Sequence, residues 1–420
     1  MKQKTILFFP IEIGLAHILR SLSIAEELKR RNHKVYIVLP KRKHKHFERT
    51  TVPFLNTRQI IKKDSIEIIN LLQNPTLIAN LAKEEAKIVR KYKADAIVVD
   101  YRPSALIPPV IANIPTFFIT GSTGLPYGFC LPKFLNIPNI LFKMIIAPLV
   151  NFFIGIVKYQ YFLLPTYKAV KLFDSNIQLM DIIDNIHYLV VEERSYLSNE
   201  SKRNNVHYIG HTLWKGFENH SPPWINKISP DGNTVYISFG GTGFDKLKLF
   251  ALAIALIKKG YRTIVSCGTI AEPEEFPKLK NLFVEKFVPG NEIAKRVDLV
   301  VCHGGYGTII ESVVAGKPFV SLPFNPDQLL HSFRMQELGL GICISNSMLQ
   351  NLITILRLDW TSLQNMSSQI PVEKVVKAVE SIFIHYDQYK SRIENYSKKI
   401  TMNGDKKAAD IIEKIMGVNS

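Results

Sequence analysis

Residues 301–328 combine the side chains and the backbone pattern that a phosphorylated ligand requires. They read VCHGGYGTIIESVVAGKPFVSLPFNPDQ, an apolar strand followed by a glycine-rich turn and a predicted helix over residues 309–315. The backbone N–H groups of such a turn can close on a phosphate at the positive end of the helix. The candidate ligand-binding residues of this turn and helix are His303, Gly305, Tyr306, Gly307, Thr308 and Glu311.

Side chains near this turn can add contacts that the backbone does not provide. His303 and Thr308 carry donors for phosphate oxygens, and Glu311, one helical turn further on, can accept from vicinal hydroxyls. Asp327 and Gln328 follow the next predicted strand, in a polar loop, and the carboxyl ends of parallel strands share one edge of a sheet. For the glycines taken alone, a tight turn in an ordinary α/β domain is the simpler explanation.

His17 and Asp100 are candidates for proton transfer in the first half of the chain. His17 lies between a predicted strand over residues 5–9 and a predicted helix over residues 18–30. Unpaired N–H groups at the start of a helix disfavour a positive charge, so the imidazole stays neutral and able to accept a proton. Asp100 ends a predicted strand over residues 94–100. For either residue, a capping or loop position is the alternative interpretation.

Alternating strand and helix patterns predict an α/β organisation that positions these residues. A length of 420 residues is enough for two or three domains with separate cores. We predict a first domain over residues 1–215, a turn-rich linker over 216–233 and a second domain over 234–400. Residues 401–420 are predicted to form a C-terminal helix that packs back towards the first domain.

Composition excludes several classes of protein. The formal net charge is +17, and the four cysteines are widely separated without zinc-binding spacing, so we expect reduced thiols and a cytoplasmic chain. No nucleic-acid module is recognisable. The charge favours contact with an anionic membrane surface, and a lysine-rich solvated exterior is the open alternative. Glu12 and His17 interrupt the apolar start of the chain, which we interpret as a strand rather than a secretory signal.

Residues 125–165 form an unusually apolar stretch. Its uncharged run, residues 144–157, is shorter than the about 20 apolar residues that cross a bilayer as a helix. The stretch either belongs to the core and lines an acceptor pocket, or forms an interfacial element that rests on a membrane. Both interpretations place an apolar acceptor near His17.

The complete pattern resembles the UDP-glycosyltransferase and macrolide glycosyltransferase superfamily. The resemblance rests on the His-Gly-Gly turn with Thr308 and Glu311, the Gly-Lys-Pro step at 316–318, and Asp327 with Gln328. It also includes the Val-Tyr-Ile-Ser-Phe-Gly-Gly segment at 235–241 and extends weakly over the first half. It implies the GT-B fold: two Rossmann-like, doubly wound α/β domains that face each other across a cleft.

The resemblance also implies roles for individual residues. His17 would be the catalytic base and Asp100 the residue that orients it, although Arg20 replaces the proline that is usual three residues after the histidine. Thr242 would face the diphosphate, and Val288 would contact the nucleotide base through its backbone. The tryptophan and paired glutamines of the plant enzymes are absent from this region.

Within the donor site, the resemblance assigns each remaining residue to one part of a nucleotide sugar. His303 and the amides of residues 305–308 would stabilise the diphosphate, and Glu311 would hold the ribose. Asp327 and Gln328 would hold the hydroxyls of the sugar.

The implied activity is an inverting, metal-independent transfer of a hexosyl group from a nucleotide diphosphate sugar to a hydroxyl of an apolar acceptor. UDP is favoured over dTDP, and no cofactor is expected. A lipid or lipid-linked acceptor is favoured over a soluble hydrophobic natural product, and the expected location is cytoplasmic, peripheral at the inner face of the membrane in the lipid case. Two remoter alternatives are a nucleotide-sugar 2-epimerase and a non-catalytic GT-B scaffold.

Overall fold

A computed structural model describes most of the chain. The described residues are 2–12, 15–44, 47, 49–58, 73–125, 163–194, 196, 201–216, 221–240, 244–345 and 371–418. The predictions for residues 126–162 and for Thr242 lie outside these ranges. The described chain forms two compact units, one from residues up to 216 together with residues from 401 onwards, the other from residues 221–400.

Each unit is built on one parallel β-sheet. The strands of the first unit are β1 Thr5–Pro10, β2 Lys34–Leu39, β3 Phe54–Asn56, β4 Ala96–Asp100, β5 Thr116–Thr120, β6 Ile186–Val190 and β7 Val206–Tyr208. Those of the second unit are β8 Thr234–Ser238, β9 Arg262–Ser266, β10 Leu282–Glu285, β11 Leu299–Cys302, β12 Phe319–Ser321 and β13 Gly341–Cys343. Strands such as β1 and β11 are short apolar runs with consecutive buried residues, the pattern expected when helices cover both faces of a sheet.

Helices connect the strands in both units. Those of the first unit are α1 Ala16–Arg30, α2 Lys41–His44, α3 Pro75–Tyr92, α4 Ile107–Ala112, α5 Leu164–Lys171 and α6 Leu179–Asp184. Those of the second unit are α7 Lys246–Lys258, α8 Gly290–Ala294, α9 Tyr306–Val314, α10 Pro326–Glu337, α11 Val372–Ile384 and α12 Tyr386–Ser397, and α13 Gly404–Ile415 follows in the first unit. None of the helices in the described ranges combines the length and apolar character needed to cross a bilayer.

The strand order places a switch point in each sheet. Within the described residues, the first sheet runs β3-β2-β1-β4-β5-β6-β7 and the second runs β10-β9-β8-β11-β12-β13. The order therefore reverses between β1 and β4 and between β8 and β11, where doubly wound sheets bind ligands beyond the carboxyl ends of their strands. The register pairs Pro10 with Asp100 in the first sheet and Ser238 with Cys302 in the second. The predicted doubly wound α/β fold is confirmed.

The C-terminal helix α13 packs against α1. Glu413 is buried and accepts a hydrogen bond from Arg31 at 2.7 Å, and its second carboxylate oxygen lies 3.0 Å from Nε2 of His33. The Lys4 backbone N–H donates to Nδ1 of His33 at 3.2 Å, so Nε2 of this ring carries the proton that Glu413 accepts. These contacts hold the C-terminal end of the helix whose first turn carries His17.

The structure corrects two predicted boundaries in the second unit. Helix α9 begins at Tyr306, three residues before the predicted start, because Gly305 already provides the extended N-cap conformation. Asp327 and Gln328 lie in the first turn of α10 rather than in a loop, since Asn325 caps this helix by accepting from the Gln328 backbone N–H. Residues 371–416 form the three helices α11, α12 and α13.

Candidate functional site

His17 and Asp100 form a hydrogen-bonded pair at the switch point of the first sheet. Nδ1 of His17, in the first turn of α1, lies 2.6 Å from Oδ1 of Asp100 at the end of β4. The His17 side chain is 28% exposed, whereas the Asp100 side chain is fully buried. An Nδ1–H that donates to Asp100 leaves the lone pair on Nε2, which is the tautomer that a general base requires.

Arg20 is a third member of this cluster, and the sequence marked it only as a departure from a family pattern. Its Nε donates to Oδ2 of Asp100, its terminal nitrogen donates to Oδ1 at 2.5 Å, and the same nitrogen lies 2.9 Å from Nδ1 of His17. Burial acts to raise the pKa of the Asp100 carboxyl, but the charges and hydrogen bonds of Arg20 and His17 outweigh it and lower that pKa. Asp100 is therefore ionised at neutral pH.

Tyr101 completes the surroundings of the His17 ring. It follows Asp100 in the left-handed backbone region, with φ of 52°, a conformation that costs a non-glycine residue energy and is common at functional sites. Its ring lies edge-on to His17 at 5.3 Å between centroids and under the Arg20 guanidinium at 5.8 Å. The aromatic ring therefore covers one side of both partners of Asp100.

His303 presents an unsatisfied polar atom at the switch point of the second sheet. Its Nδ1 is buried and makes no hydrogen bond in the described part of the chain. Burial lowers the pKa of His303 to about 4, and a hydrogen bond with the Ser238 backbone acts in the opposite direction. The ring is therefore neutral near pH 7 and carries a single N–H, so it acts as a hydrogen-bonding group rather than as a cation. Nδ1 is a donor only in the tautomer in which the other ring nitrogen carries no proton.

Two glycines allow the turn after His303 to pack closely. Gly304 has φ of +83°, and a Cβ there would overlap Oγ of Ser332 and lie 3.0 Å from the Gln328 carbonyl oxygen of α10. A Cβ at Gly305 would lie 2.7 Å from Nε2 of His303. The turn thus needs glycine at both positions to hold His303 beside the start of α9.

The N-terminus of α9 offers backbone donors. The N–H groups of Tyr306, Gly307 and Thr308 have no carbonyl partner within the helix, and the N-cap Gly305 has no side chain to satisfy them. Together with the helix dipole, such N–H groups form an anion-binding site. The structure therefore brings these three predicted residues and His303 to one turn, in an arrangement suited to a diphosphate.

Glu311 lies one turn further along α9 with its carboxylate beside Gly290. Burial raises the pKa of the Glu311 carboxyl to about 7, and within the described ranges no charged or hydrogen-bonding neighbour offsets that effect. A Cβ at Gly290, the first residue of α8, would overlap Oε2 of Glu311. Gly290 was not among the residues predicted from the sequence. The signal that could have indicated it was a glycine directly after Val288 and Pro289, at the start of a helix.

Asp327 and Gln328 present different groups. The Asp327 side chain is 51% exposed, and one of its carboxylate oxygens lies 3.4 Å from Nε2 of His331, one turn later in α10. Gln328 is buried, and its Oε1 accepts from the Phe324 backbone N–H at 2.8 Å, which leaves the amide nitrogen as its donor. His331 is buried and packs against the ring of Tyr306 at 5.2 Å. Sequence reasoning missed His331, although its spacing of four from Asp327 places both on one helix face.

Val288 lies between β10 and α8 and is buried. Among the described residues, no group of three or more His, Cys, Asp or Glu side chains could hold a metal ion. The groups assembled in the second unit are backbone amides at the start of α9, the amide of Gln328 and the neutral imidazole of His303, which can donate, and the carboxyl groups of Glu311 and Asp327, which accept when ionised.

Comparison with known proteins extends these observations to the whole chain. Residues 234–409 match the glycosyltransferase family 28 C-terminal domain. A relative named PGL/p-HBAD biosynthesis glycosyltransferase, from Mycobacterium tuberculosis, is 23% identical over 82% of this chain and 81% of its own length. The NDP-glycosyltransferase YjiC of Bacillus licheniformis is 32% identical over a shorter match, which covers 27% of this chain and 30% of the relative.

A solved structure shows the same fold. The crystal structure of the glycotransferase of kitacinnamycin superposes with a TM-score of 0.70 over 99% of both chains, at 17% sequence identity. The predicted GT-B fold is confirmed by this match and by the two parallel sheets. The chain therefore belongs to the nucleotide-sugar-dependent glycosyltransferases of the GT-B fold.

Proposed function

We propose that this protein is an inverting glycosyltransferase that moves a hexosyl group from a UDP-sugar to a hydroxyl of an apolar acceptor, with a lipid or lipid-linked acceptor favoured. The observation that carries the proposal is the 2.6 Å contact between His17 and the buried Asp100 at a switch point of the first sheet. A base oriented by a carboxylate is what the activation of a neutral alcohol requires.

In the proposed reaction, Nε2 of His17 takes the proton of the acceptor hydroxyl. The acceptor oxygen forms a bond to the anomeric carbon as the bond from that carbon to the diphosphate oxygen breaks, and the diphosphate leaves with the electron pair. Attack from the face opposite the diphosphate inverts the anomeric centre through an oxocarbenium-like transition state. Asp100 holds the Nδ1–H tautomer and stabilises the imidazolium that forms.

The donor's diphosphate is assigned to the turn that follows β11. The N–H of His303 and the amides of residues 305–308 would donate to oxygens on which negative charge grows as the diphosphate leaves. In the tautomer that places the N–H on Nδ1, His303 has a buried donor without a partner among the described residues. Such a donor is costly unless a ligand accepts from it, which supports this assignment. Thr242 is proposed as a further diphosphate contact and Val288 as a backbone contact of the base.

The ribose and the sugar are assigned to acidic and amide side chains. Glu311 would accept from the two ribose hydroxyls of UDP, whereas dTDP has only one hydroxyl at this position of its deoxyribose. A carboxylate without any other partner gains more from two hydroxyls than from one, which favours UDP. Asp327, which is half exposed, would accept from sugar hydroxyls, and the amide nitrogen of Gln328 would donate to them.

The affinity for a UDP-sugar is expected to rise with pH up to about 7 and then to level off. In the free protein, burial raises the pKa of Glu311 to about 7, so its carboxyl is protonated below that pH. Ribose hydroxyls donate best to the ionised form, and binding therefore releases a proton below pH 7. Linkage gives an increase of up to about tenfold per pH unit in this range.

Isothermal titration of a UDP-sugar between pH 5.5 and 8 would measure this slope, since the diphosphate diester does not itself titrate there. Glu311→Gln should bind more weakly at pH 8 and show no such slope. A slope that is equally steep in the glutamine variant would contradict the assignment of Glu311 to the ribose.

The apolar acceptor is supported by composition rather than by the described structure. The net charge of +17 suits an anionic membrane surface, and the apolar residues 125–165 suit a long-chain alcohol. A lipid acceptor would place the enzyme at the cytoplasmic face of a membrane without requiring it to cross the bilayer. A soluble hydrophobic natural product is the second candidate, because the structural match at a TM-score of 0.70 is the glycotransferase of kitacinnamycin.

Release of nucleoside diphosphate from UDP- and dTDP-sugars tests the proposed function directly. We expect release from a UDP-sugar that depends on a membrane-lipid extract. Release with soluble apolar alcohols but not with the extract would transfer the acceptor assignment to natural products. Preference for dTDP-sugars would overturn the donor assignment, and tight nucleotide binding without release under any condition would contradict a transferase.

A further inference from the structure

Arg20 is placed where it can change the chemistry of the His17–Asp100 pair. It follows His17 by three residues on the first turns of α1, so both side chains lie on the same helix face. Only 16% of its side chain is exposed, and it contacts both oxygens of the fully buried Asp100 carboxylate. A guanidinium that spans both oxygens is a fixed, permanently charged partner.

The contact between Arg20 and His17 has consequences for the imidazole. A guanidinium nitrogen can only donate and an ionised carboxylate can only accept. Nδ1 of His17 lies 2.6 Å from the acceptor on Asp100 and 2.9 Å from the donor on Arg20, so it cannot satisfy both. An Nδ1–H supports the base, whereas an Nδ1 that accepts from Arg20 places the proton on Nε2 and removes the base.

The positive charge on Arg20 also opposes a positive charge on the neighbouring imidazole. Beside an isolated aspartate, an imidazolium is stabilised by a full negative charge, but Asp100 and Arg20 together are neutral. Tyr101 faces the other side of the ring and carries no charge at neutral pH. Among the described residues, a further ionisable side chain at this edge is Glu12, which is buried directly after β1, where the Ile11 N–H donates to the Asp100 carbonyl.

We propose that Arg20 is a positioning residue that sets the pH range of catalysis, by neutralising Asp100 and competing with it for Nδ1 of His17. The proposal rests on the proposed function of His17 as the base. With Arg20 in place, the enzyme is expected to stay active to lower pH than a simple His–Asp pair would allow. The stabilisation of the imidazolium in the transition state is correspondingly smaller.

Replacement of Arg20 by glutamine tests this role through the pH dependence of kcat/KM. In Arg20→Gln the acidic limb should move to higher pH by about one unit or more. The variant leaves the negative charge of Asp100 uncompensated, and an opposite charge beside a titrating group changes its protonation by that order. Activity should fall at pH 6 and be retained or increase several-fold at pH 8, where a stronger base is fully available. Arg20→Lys, which keeps the charge, should leave the limb near its wild-type position.

The matched control is Arg30→Gln, on the same helix but with a side chain that is 68% exposed and paired with Glu27. This control should leave the acidic limb of kcat/KM at its wild-type position. A uniform loss of activity at all pH values in Arg20→Gln, with the acidic limb unmoved, would show a merely structural role and overturn the proposal. If the glutamine variant does not fold by circular dichroism, Arg20→Met fills similar space and decides the same question.

Failure of this proposal can be distinguished from failure of the proposed function. If His17→Ala abolishes turnover but the acidic limb is the same in all Arg20 variants, His17 remains the base and only the role of Arg20 is wrong. If His17→Ala leaves turnover unchanged, the base assignment itself is wrong.

Discussion

Replacing His17 with alanine is expected to lower turnover by about 10²–10⁴-fold, the usual contribution of a general base. The variant loses the group that takes the proton of the acceptor hydroxyl, so the reaction must proceed through a far weaker nucleophile. The affinity for the UDP-sugar should stay near the wild-type value, because the assigned donor contacts all lie in the second unit.

Two measurements check this expectation: steady-state release of UDP with acceptor present, and titration of the UDP-sugar alone. His385→Ala, at an exposed position at the end of α11, is a suitable control and should alter neither. Loss of donor binding in His17→Ala would assign this histidine to the donor instead. Unchanged turnover would remove it from the chemistry altogether.

Gly304→Ala is expected to weaken UDP-sugar binding by about 100-fold. Its φ of +83° is strained for alanine, and the added Cβ would overlap Oγ of Ser332 and press against the Gln328 carbonyl of α10. The turn would therefore shift away from α10 and displace His303 and the first amides of α9. Misplacement of binding groups by about 1 Å can cost two orders of magnitude.

Gly316→Ala separates backbone strain from displacement of the site. Gly316 has a similar φ of +78°, yet a Cβ there would meet no atom within 4 Å. This control should lose stability in a thermal melt but keep its affinity for the donor. If both glycine variants bind the UDP-sugar normally, the turn after β11 does not hold the diphosphate, and the donor assignment would have to change.

Much of the fold follows from local patterns. The predicted strand over residues 5–9, helix over 18–30 and strand over 94–100 appear as β1, α1 and β4, with limits that differ by at most two residues. Apolar runs bounded by polar residues and turns are local signals. The donor turn was predictable because its glycines, His303 and Glu311 are close in sequence. The start of α9 was not, since either an extended loop or a helix could follow Gly305.

Long-range contacts were beyond such patterns. The hydrogen bonds from Arg20 to Asp100 join residues 80 apart in the chain, and the overlap predicted for a Cβ at Gly290 involves Glu311 from another helix. The bond between Gln328 Oε1 and the Phe324 backbone, which leaves only the amide nitrogen to donate, depends on how α10 caps its first turn. Each of these changes what a predicted residue can do chemically.

Residue patterns were enough to predict the doubly wound α/β fold, the donor turn and the two residues proposed for proton transfer. Residue types and their spacing along the chain carry that information, because a strand, a turn and a helix are each decided by neighbouring residues. The protonation chemistry depends on packing between distant residues. Asp100 is ionised because Arg20 binds it, His303 is neutral because it is buried, and burial likewise raises the pKa of Glu311. Burial and charge at a titrating group depend on every element packed around it, which no local pattern records.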